Sequence, residues 1–450
     1  MSLHSLEPIV NLTKRKGFVV QSSEIYGGVA SLFDYGPLGV ELRNNIKQFW
    51  WKTFVHGRDD MVGIESSIIM HPRVWDASGH TETFTDPLVE CTKCHFRFRE
   101  DHVPTKEHNP KFWKCPEGAD HTFAEPRQFN LMLKTYLGAT EESASAAYLR
   151  PETAQGMFVD FKYVTETSRT KIPFGIAQIG KTFRNEIGLG NWLFRLREFE
   201  IAELEYFVKP GTDEEHFMAW VERWEAFYEA CGIPREHIRR DVKAKEDLAH
   251  YSKGTIDFEY KFPFGWDELG AVANRTDYDL KRHAEYSGKD LSFFDPETKE
   301  KFVPYVIEPT QGIDRLFVAI LCESYKEYPN GRKGEEGETL AEPEVVLHLP
   351  PIFAPYKVAV LPLVKKDGLA EKAKELAADL RKHVTTYYDE SGSIGRRYRR
   401  QDEVGTPWCV TVDHQTLEDG TVTLRDRDTM EQERIKLDEL SQLIYFKLNG

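Results

Sequence analysis

The segment from Gly175 to Val208 constrains the fold of this 450-residue chain more than any other. It reads GIAQIGKTFRNEIGLGNWLFRLREFEIAELEYFV, two runs of mixed apolar and charged residues separated by the glycine-rich turn IGLGN. This pattern predicts a long antiparallel hairpin. Its strands are expected to carry Arg184, Glu186, Arg195, Arg197, Glu198, Glu200, Glu203 and Glu205. A sheet face with that many charges loses stability unless something charged sits on it. The bland alternative is a solvated amphipathic hairpin, and the density of charge weighs against it.

A nucleoside triphosphate needs cations at its phosphates, an aromatic face for its base and a main-chain edge to read that base. Arg184 with Glu186, and Arg195 and Arg197 with Phe199, offer guanidinium groups for a phosphate and a phenyl ring for adenine. A second segment points the same way. VIEPTQGIDRLFVAIL, Val306 to Leu321, reads as a strand passing through Pro309 and Gly312 into a helix with Asp314 and Arg315 in its first turn. Glycine permits close backbone approach, and a helix start favours an anion at which Arg315 would point. Taken alone this pattern is weak, because helix starts bearing Asp and Arg are common.

Near the N-terminus, Leu38, Leu42, Ile46, Trp50 and Phe54 recur at spacing four and predict an amphipathic helix that Pro37 opens and that ends before His56-Gly57. MVGIESSIIM, residues 61–70, then reads as a strand stopped by Pro72. The charged stretch from Pro329 to Pro343 is a candidate connection, and a boundary is expected near Leu349 to Pro351. Beyond it YKVAVLPLV reads as a buried strand, Leu369, Ala373, Leu376, Leu380 and Val384 as a helix face, and Pro407 to Asp413 as a strand. A turn at Asp419-Gly420, a strand from Thr421 to Arg425 and a last helix around Leu437 to Phe446 complete a small α/β domain.

With 59 basic and 74 acidic residues the net charge is −15, so any nucleic acid must be met by local basic patches. No stretch approaches the roughly 18 apolar residues of a membrane helix, and the first residues lack the apolar core of a secretion signal. The cytoplasm is the expected compartment, with no membrane partner. Six cysteines are too few for a disulfide framework in so long a chain. Cys91, Cys94 and Cys115 fall close together and favour metal over disulfide, whereas Cys231, Cys322 and Cys409 read as ordinary buried thiols.

The order helix-strand-Pro, then FRNE strand-loop-strand, then strand-Gly-x-x-Arg-helix resembles motifs 1, 2 and 3 of the class II aminoacyl-tRNA synthetases. The strings GVASLFDYGPLGVELRNNIKQFWW, HPRVWDASGH, LRPETAQG, FRNE, FRLREFE and VIEPTQG are similar to the homodimeric glycyl-tRNA synthetase family over essentially the whole chain. The resemblance implies an α+β fold: an antiparallel-sheet catalytic core with flanking helices over residues 1–350, and an α/β anticodon-binding domain over residues 351–450. Within the core it implies a zinc-knuckle-like insertion at 88–126 and an inserted helical and α+β region at 205–300.

The implied activity is glycine–tRNA ligation, with ATP, glycine and tRNA(Gly) as substrates and Mg2+ as cofactor. A non-catalytic paralogue acting as a nucleic-acid-binding accessory subunit is the alternative. By family position Arg184 holds the α-phosphate and Arg315 the γ-phosphate, Glu186 reads adenine, Phe199 stacks beneath it and Glu268 is the magnesium ligand. Asn185, Phe194, Arg195, Leu196, Arg197, Glu198, Leu269, Gly312, Ile313 and Asp314 complete the implied ATP site. Glu152, Glu203 and Glu308 would surround the glycine ammonium and Arg99 its carboxylate, with Phe199, Glu200, Ile201, Ala202, Pro309, Gln311 and Gly312 nearby. A cluster of acids implies a cationic substrate, since like charges so close raise one another's pKa. Thr310 stands where the family usually has Ser and adds a methyl to the pocket.

Cys91, Cys94, Cys115 and His121 resemble a zinc knuckle, with His95, His102 and His108 as rival ligands and an empty thiol cluster as the alternative. Arg396, Arg397, Tyr398, Arg399 and Arg400 resemble an RNA-binding patch of the anticodon-binding domain, a solvated edge being the alternative. The N-terminal helix and the strand before Pro72 are expected to form a two-fold interface.

Overall fold

The computed structural model describes residues 5–100, 103, 113–140, 145–187, 191–332 and 342–449. At its centre is a seven-stranded sheet made of β1 (Met61–Gly63), β2 (Phe174–Phe183), β3 (Glu198–Val208), β4 (Ile238–Val242), β5 (Gly254–Phe262), β6 (Gly265–Thr276) and β7 (Tyr305–Gly312). The spatial order is β4-β5-β6-β7-β3-β2-β1, antiparallel throughout except for β1 beside β2. The expected hairpin is β2 with β3, paired from Phe183↔Glu198 to Phe174↔Phe207. Residues 188–190 of its turn lie outside the described residues, as do most of the connection between Pro329 and Pro343 and the rival ligands His102 and His108.

Alternation along the strands divides the sheet into two chemically different faces. Ala202, Leu204, Tyr206 and Val208 of β3, with Val272 of β6 and Ile307 of β7, point to the reverse face and are almost wholly buried in the main core. Phe199, Ile201, Glu203, Glu205 and Phe207 point to the front. Helix α1 (Pro37–Trp51) belongs to the main core through Leu38, Leu42, Ile46 and Trp50, as its spacing predicts, and a wider π turn at Lys52–His56 carries the stripe on to Phe54. The short α2 (Ala154–Val159) covers one end of the front face, where Met157 and Phe158 meet Phe174, Ile176, Phe207 and Val306. Helix α3 (Asp213–Ala230) covers the reverse face with Trp220, Trp224 and Phe227, and its acidic first turn suits the positive helix start. Helix α4 (Tyr278–Ser287) joins α2 through Leu280, and α5 (Ile313–Ser324) follows β7 into the main core.

The strand read into residues 61–70 is corrected. Only Met61–Gly63 pairs in the sheet, with a lone bridge at Ile69↔Leu149. Ile64 still donates its amide to the Ala177 carbonyl at 2.9 Å, but at Ser66 side chains take the backbone instead: Gln178 Oε1 accepts from the Ser66 amide at 3.3 Å, and Arg150 Nη1 donates to the Ser66 carbonyl at 2.8 Å.

The C-terminal part is a five-stranded sheet of Thr386–Tyr388, Val358–Pro362, Trp408–Val412, Thr421–Asp426 and Gln432–Lys436, in that spatial order, the first three parallel and the rest antiparallel. Helices α6 (Leu369–Leu380), α7 (Ile394–Val404) and α8 (Leu437–Asn449) accompany it. Val384 lies past the end of α6 yet still packs on the core, and a one-and-a-half-turn helix at His414–Asp419 precedes the expected turn. Asp413 caps that helix, its side chain accepting from the Thr416 amide. A buried charge network of Arg332, Glu344, Asp402 and Arg425 ties this part to the strands before it. Among the described residues no helix is long and apolar enough to cross a membrane.

Candidate active site

The front face holds a cavity of about 320 Å³. Its floor is the cavity end of the sheet, and the residues there are small where the floor must be low: Ala271 and Ala273 on β6, Thr310 and Gly312 on β7. Gly180 of β2 completes the pattern outside the lining, since a Cβ there would lie 2.2 Å from Arg150 Nη2.

At one end stand three carboxylates far apart in sequence. Glu152, Glu203 and Glu308 all line the cavity and are at most 8% exposed. Glu203 is anchored on the start of α2, where its Oε2 accepts from the Thr153 amide at 2.7 Å and the Ala154 amide at 3.1 Å. Burial, then the neighbouring Glu152, raises its pKa in spite of those bonds. Burial also works against ionised Glu152, but His80 Nε2 at 3.3 Å, Arg275 and Gln155 outweigh it and hold that carboxyl far below the ordinary range.

Arg275, only 1% exposed, is the hub of this end. Its Nη1 lies 2.7 Å from Glu308 Oε1, its Nε and Nη2 lie 2.8 and 2.9 Å from the two oxygens of Asp279, and Glu152 is 4.0 Å away. Its guanidinium also stacks 3.9 Å from the ring of Tyr251, another lining residue. The sequence reading missed Arg275, Asp279, Tyr251 and His80. One signal was available: Arg275 is a charge two residues past the apolar run Ala271-Val272-Ala273, with Asp279 four residues on.

The other end is cationic. Arg184, Arg195 and Arg315 line it together with Glu186, Phe194, Leu196, Phe199, Glu268 and Leu269. The Arg184 guanidinium rests 5.4 Å from the Phe199 ring and 5.3 Å from Phe84, and its Nε donates to the Pro151 carbonyl at 3.2 Å. Arg315 Nη1 is 3.2 Å from Glu268 Oε2 and donates to the Glu268 carbonyl at 2.9 Å, which holds the Glu268 carboxyl below its ordinary value. Glu200 and Asp314 sit at the cavity edge, neutralised from outside by α1: Arg43 lies 3.0 Å from Asp314 and 3.4 Å from Glu200, and Lys47 lies 3.2 Å from Glu200.

Several sequence expectations are corrected. Arg184, Glu186, Arg195 and Arg197 are on the connection between β2 and β3, because β2 ends at Phe183 and β3 begins at Glu198. Arg197 does not line the cavity; its guanidinium is spent on the carbonyls of Glu186 and Ala30. Glu198 is turned outward onto Lys181 at 2.6 Å, and the Asn185 amide donates to Leu131. Ala202 and Ile313 are in the core, Pro309 falls on the reverse face, and Gln311 turns its amide to the carbonyls of Leu269 and Gly312. Ile201 does line the cavity. Arg99 lies on Arg97–Arg99 of the small sheet with Thr85–Glu90 and Arg127–Asn130, 3.6 Å from Asp86, and is absent from the lining.

The basic patch of α7 is also corrected. Arg397 is 2% exposed and donates to the carbonyls of Pro362, Leu363 and Asp389. Tyr398 bonds Thr411, Arg399 pairs with Glu342 and Arg400 with Asp389. Arg396 is exposed. These side chains mostly build the domain.

The four proposed metal ligands do converge. One donor atom from each of Cys91, Cys94, Cys115 and His121 lies within 4.8 Å of every other. Cys91 and Cys115 sulfurs are 3.7 Å apart, and His121 Nδ1 is 3.5 and 3.4 Å from Cys94 and Cys115. A tetrahedral zinc with sulfurs at about 2.3 Å sets sulfur pairs roughly 3.8 Å apart, so the donor set fits that ion. His95 turns away to Glu90 at 3.1 Å. Cys231 and Cys409 are buried as expected, and Cys322 is half-buried.

Comparison with known proteins closes the matter of kinship. Residues 136–325 match the family described as tRNA synthetase class II core domain (G, H, P, S and T), and residues 357–445 match the anticodon binding domain family. The chain is 50% identical over 462 residues to the glycine–tRNA ligase of Thermobifida fusca (strain YX), covering 99% of this chain and 98% of that one. It is 52% identical over 438 residues to that of Treponema denticola, covering 97% and 95%, and 52% identical over 465 residues to that of Streptomyces coelicolor, covering all of both. Related from end to end at about half of all positions, the chain belongs to the glycine–tRNA ligase family.

Proposed function

We propose that the protein activates glycine with ATP to glycyl-adenylate and transfers the glycyl group to the terminal adenosine of tRNA(Gly). The observation that carries this reading is the polarity of one cavity: guanidinium groups at one end, three buried carboxylates at the other. ATP lies with its base on Phe199 and its phosphates toward Arg184 and Arg315. The ammonium of glycine is received by Glu152, Glu203 and Glu308, and Thr310 with its neighbours leaves no room for a side chain. A pocket that merely tolerates a surplus methyl discriminates by only about 1–3 kcal/mol, so exclusion has to come from a wall at Cα, the role that falls to the added methyl of Thr310.

In the first step an oxygen of the glycine carboxylate attacks the α-phosphorus, a P–O bond forms, and pyrophosphate leaves opposite it. Arg184 and Arg315 hold the phosphates in line and absorb the developing charge. Glu268 with the phosphates would hold Mg2+, which supplies further charge neutralisation at the leaving group. In the second step the ribose hydroxyl of tRNA attacks the adenylate carbonyl and AMP departs. No protein nucleophile is called for. The accessory-subunit alternative is set aside, since both arginines and all three glutamates sit on one cavity and the relatives are ligases.

The remaining parts of the proposal follow from the same reading. Residues 1–350 act as the catalytic core and 351–450 read the anticodon; the protein works as a homodimer built across α1, and it works in the cytoplasm. Cys91, Cys94, Cys115 and His121 would hold zinc, which would cross-link the segments that carry them. The test is charging of tRNA(Gly) with labelled glycine by the purified protein: acid-stable incorporation supports the reading, and its absence with intact tRNA and ATP overturns it.

A further inference from the structure

Glu205 of β3 is the deepest acid of the front face. It is fully buried, and neither carboxylate oxygen has a hydrogen-bond partner among the described residues. The β3–β7 register runs from Glu203↔Thr310 to Tyr206↔Ile307, which sets Glu205 directly opposite Glu308 on the same face. Ile176 flanks Glu205 on β2, and Ala273 flanks Glu308 on β6, so the row around the two acids is apolar. Residues opposed in this way have Cβ atoms about 4.5–5.5 Å apart, within reach for two glutamate side chains.

The two acids are not equivalent. Arg275 gives its Nη1 to Glu308 at 2.7 Å and its remaining nitrogens to Asp279, so Glu308 has a cation while Glu205 has none in contact among the described residues. The other groups facing Glu205 are Glu203 on its own strand and Asp279 on α4, both negative when ionised and both already bonded, to Thr153 and Arg275 respectively. On α4, His283 is bonded to Gln155 of α2, and β2 presents Gln178; neither glutamine titrates. Two ionised carboxylates side by side without solvent repel strongly, and the cheapest relief is one shared proton.

We propose that Glu205 is protonated in the working enzyme and donates its O–H to Glu308, making it a positioning residue for the carboxylate that receives the substrate ammonium. Burial, then Glu308, pushes the Glu205 carboxyl well above the ordinary range, in keeping with the geometry. Glu308 is pushed up as well, but its contact with Arg275 places the negative charge there and the proton on Glu205. Glu205 thereby fixes the direction of the Glu308 carboxylate from below while Arg275 fixes it from the side.

The role rests on Glu308 as ammonium acceptor, so the experiment has one arm that needs no substrate. Infrared difference spectra of wild type against Glu205→Gln, in H2O and D2O, should show a deuterium-sensitive carbonyl stretch of a protonated carboxyl that the variant lacks. In glycine-dependent ATP–pyrophosphate exchange, Glu205→Gln should keep the glycine KM within about twofold, because the amide still donates. Glu205→Leu should raise it about tenfold or more, the loss of a hydrogen bond to a charged group, with the ATP KM unchanged. No such band in the wild type overturns the proposal, and so does a Gln variant as impaired as the Leu variant. Should Glu205→Leu fail to fold, the band and the Gln variant still decide. Failure of the wild type to exchange with glycine, with the band present, would sink the substrate reading and leave the proton on Glu205.

Discussion

Replacing Arg275 by methionine is the sharpest test of how the acid end is held together. Methionine keeps the aliphatic volume and removes the charge. Arg275 is 1% exposed and makes three hydrogen bonds of 2.7, 2.8 and 2.9 Å to Glu308 and Asp279, with Glu152 at 4.0 Å. Removing one side of a buried ion pair costs about 3–5 kcal/mol, because the partner is left as an uncompensated charge. With a urea m-value near 3 kcal/mol/M, the unfolding midpoint of the variant should fall by roughly 1 M or more at pH 8.

The sign with pH also follows. Burial already raises the Glu308 carboxyl and Arg275 opposes that, so without Arg275 Glu308 takes up a proton still more readily when folded than when unfolded. Acids raised in this way contribute stability that is present below the ordinary carboxylate range and is lost as pH climbs through their raised folded values. The deficit relative to wild type should therefore be smaller at pH 5 than at pH 8. Tryptophan fluorescence in urea reports it, since Trp220 and Trp224 are wholly buried behind the same sheet. A midpoint within about 0.3 M of wild type at pH 8, or a deficit that widens as pH is lowered, would refute the reasoning.

Arg184→Ala should reduce ATP–pyrophosphate exchange by about 10²–10³-fold, the cost of one preorganised donor, while leaving the urea midpoint in place, since among the described residues its side chain makes one hydrogen bond, to the Pro151 carbonyl. Arg397→Glu should destabilise the C-terminal part by about 3–5 kcal/mol, seen as an early unfolding transition, because it buries a charge against three carbonyls. Arg396→Glu, by contrast, should leave that transition alone and lower tRNA charging with exchange intact. Cys115→Ser should take zinc, measured by mass spectrometry of the purified protein, from about one per chain to a small fraction of that and expose the 88–126 insertion to protease.

What could be read from the chain before its structure was whatever is local in sequence. The β2–β3 hairpin, the α1 stripe and the passage from β7 through Gly312 to Arg315 each lie within one window where period and turn chemistry speak directly. The acid end was legible only in part. Glu203 and Glu308 stood out through the resemblance, but Arg275 meets Glu308 across a strand pairing 33 residues apart, and nothing local announces that pairing. Face parity explains why Ala202, Pro309 and Gln311 fall away from the cavity although their neighbours line it: alternate residues of a strand point to opposite sides. The run at 396–400 misled because composition reports charge and not burial; Arg397 spends its guanidinium on backbone carbonyls of the strand beside it.

The most direct measurement is ATP–pyrophosphate exchange by the wild-type protein against a panel of glycine, alanine and serine. Exchange driven by glycine at least a hundred times faster than by alanine is what a pocket lined by acids and walled at Cα predicts, at the upper end of what one methyl group can distinguish. Comparable rates with alanine, or none with glycine, would contradict it.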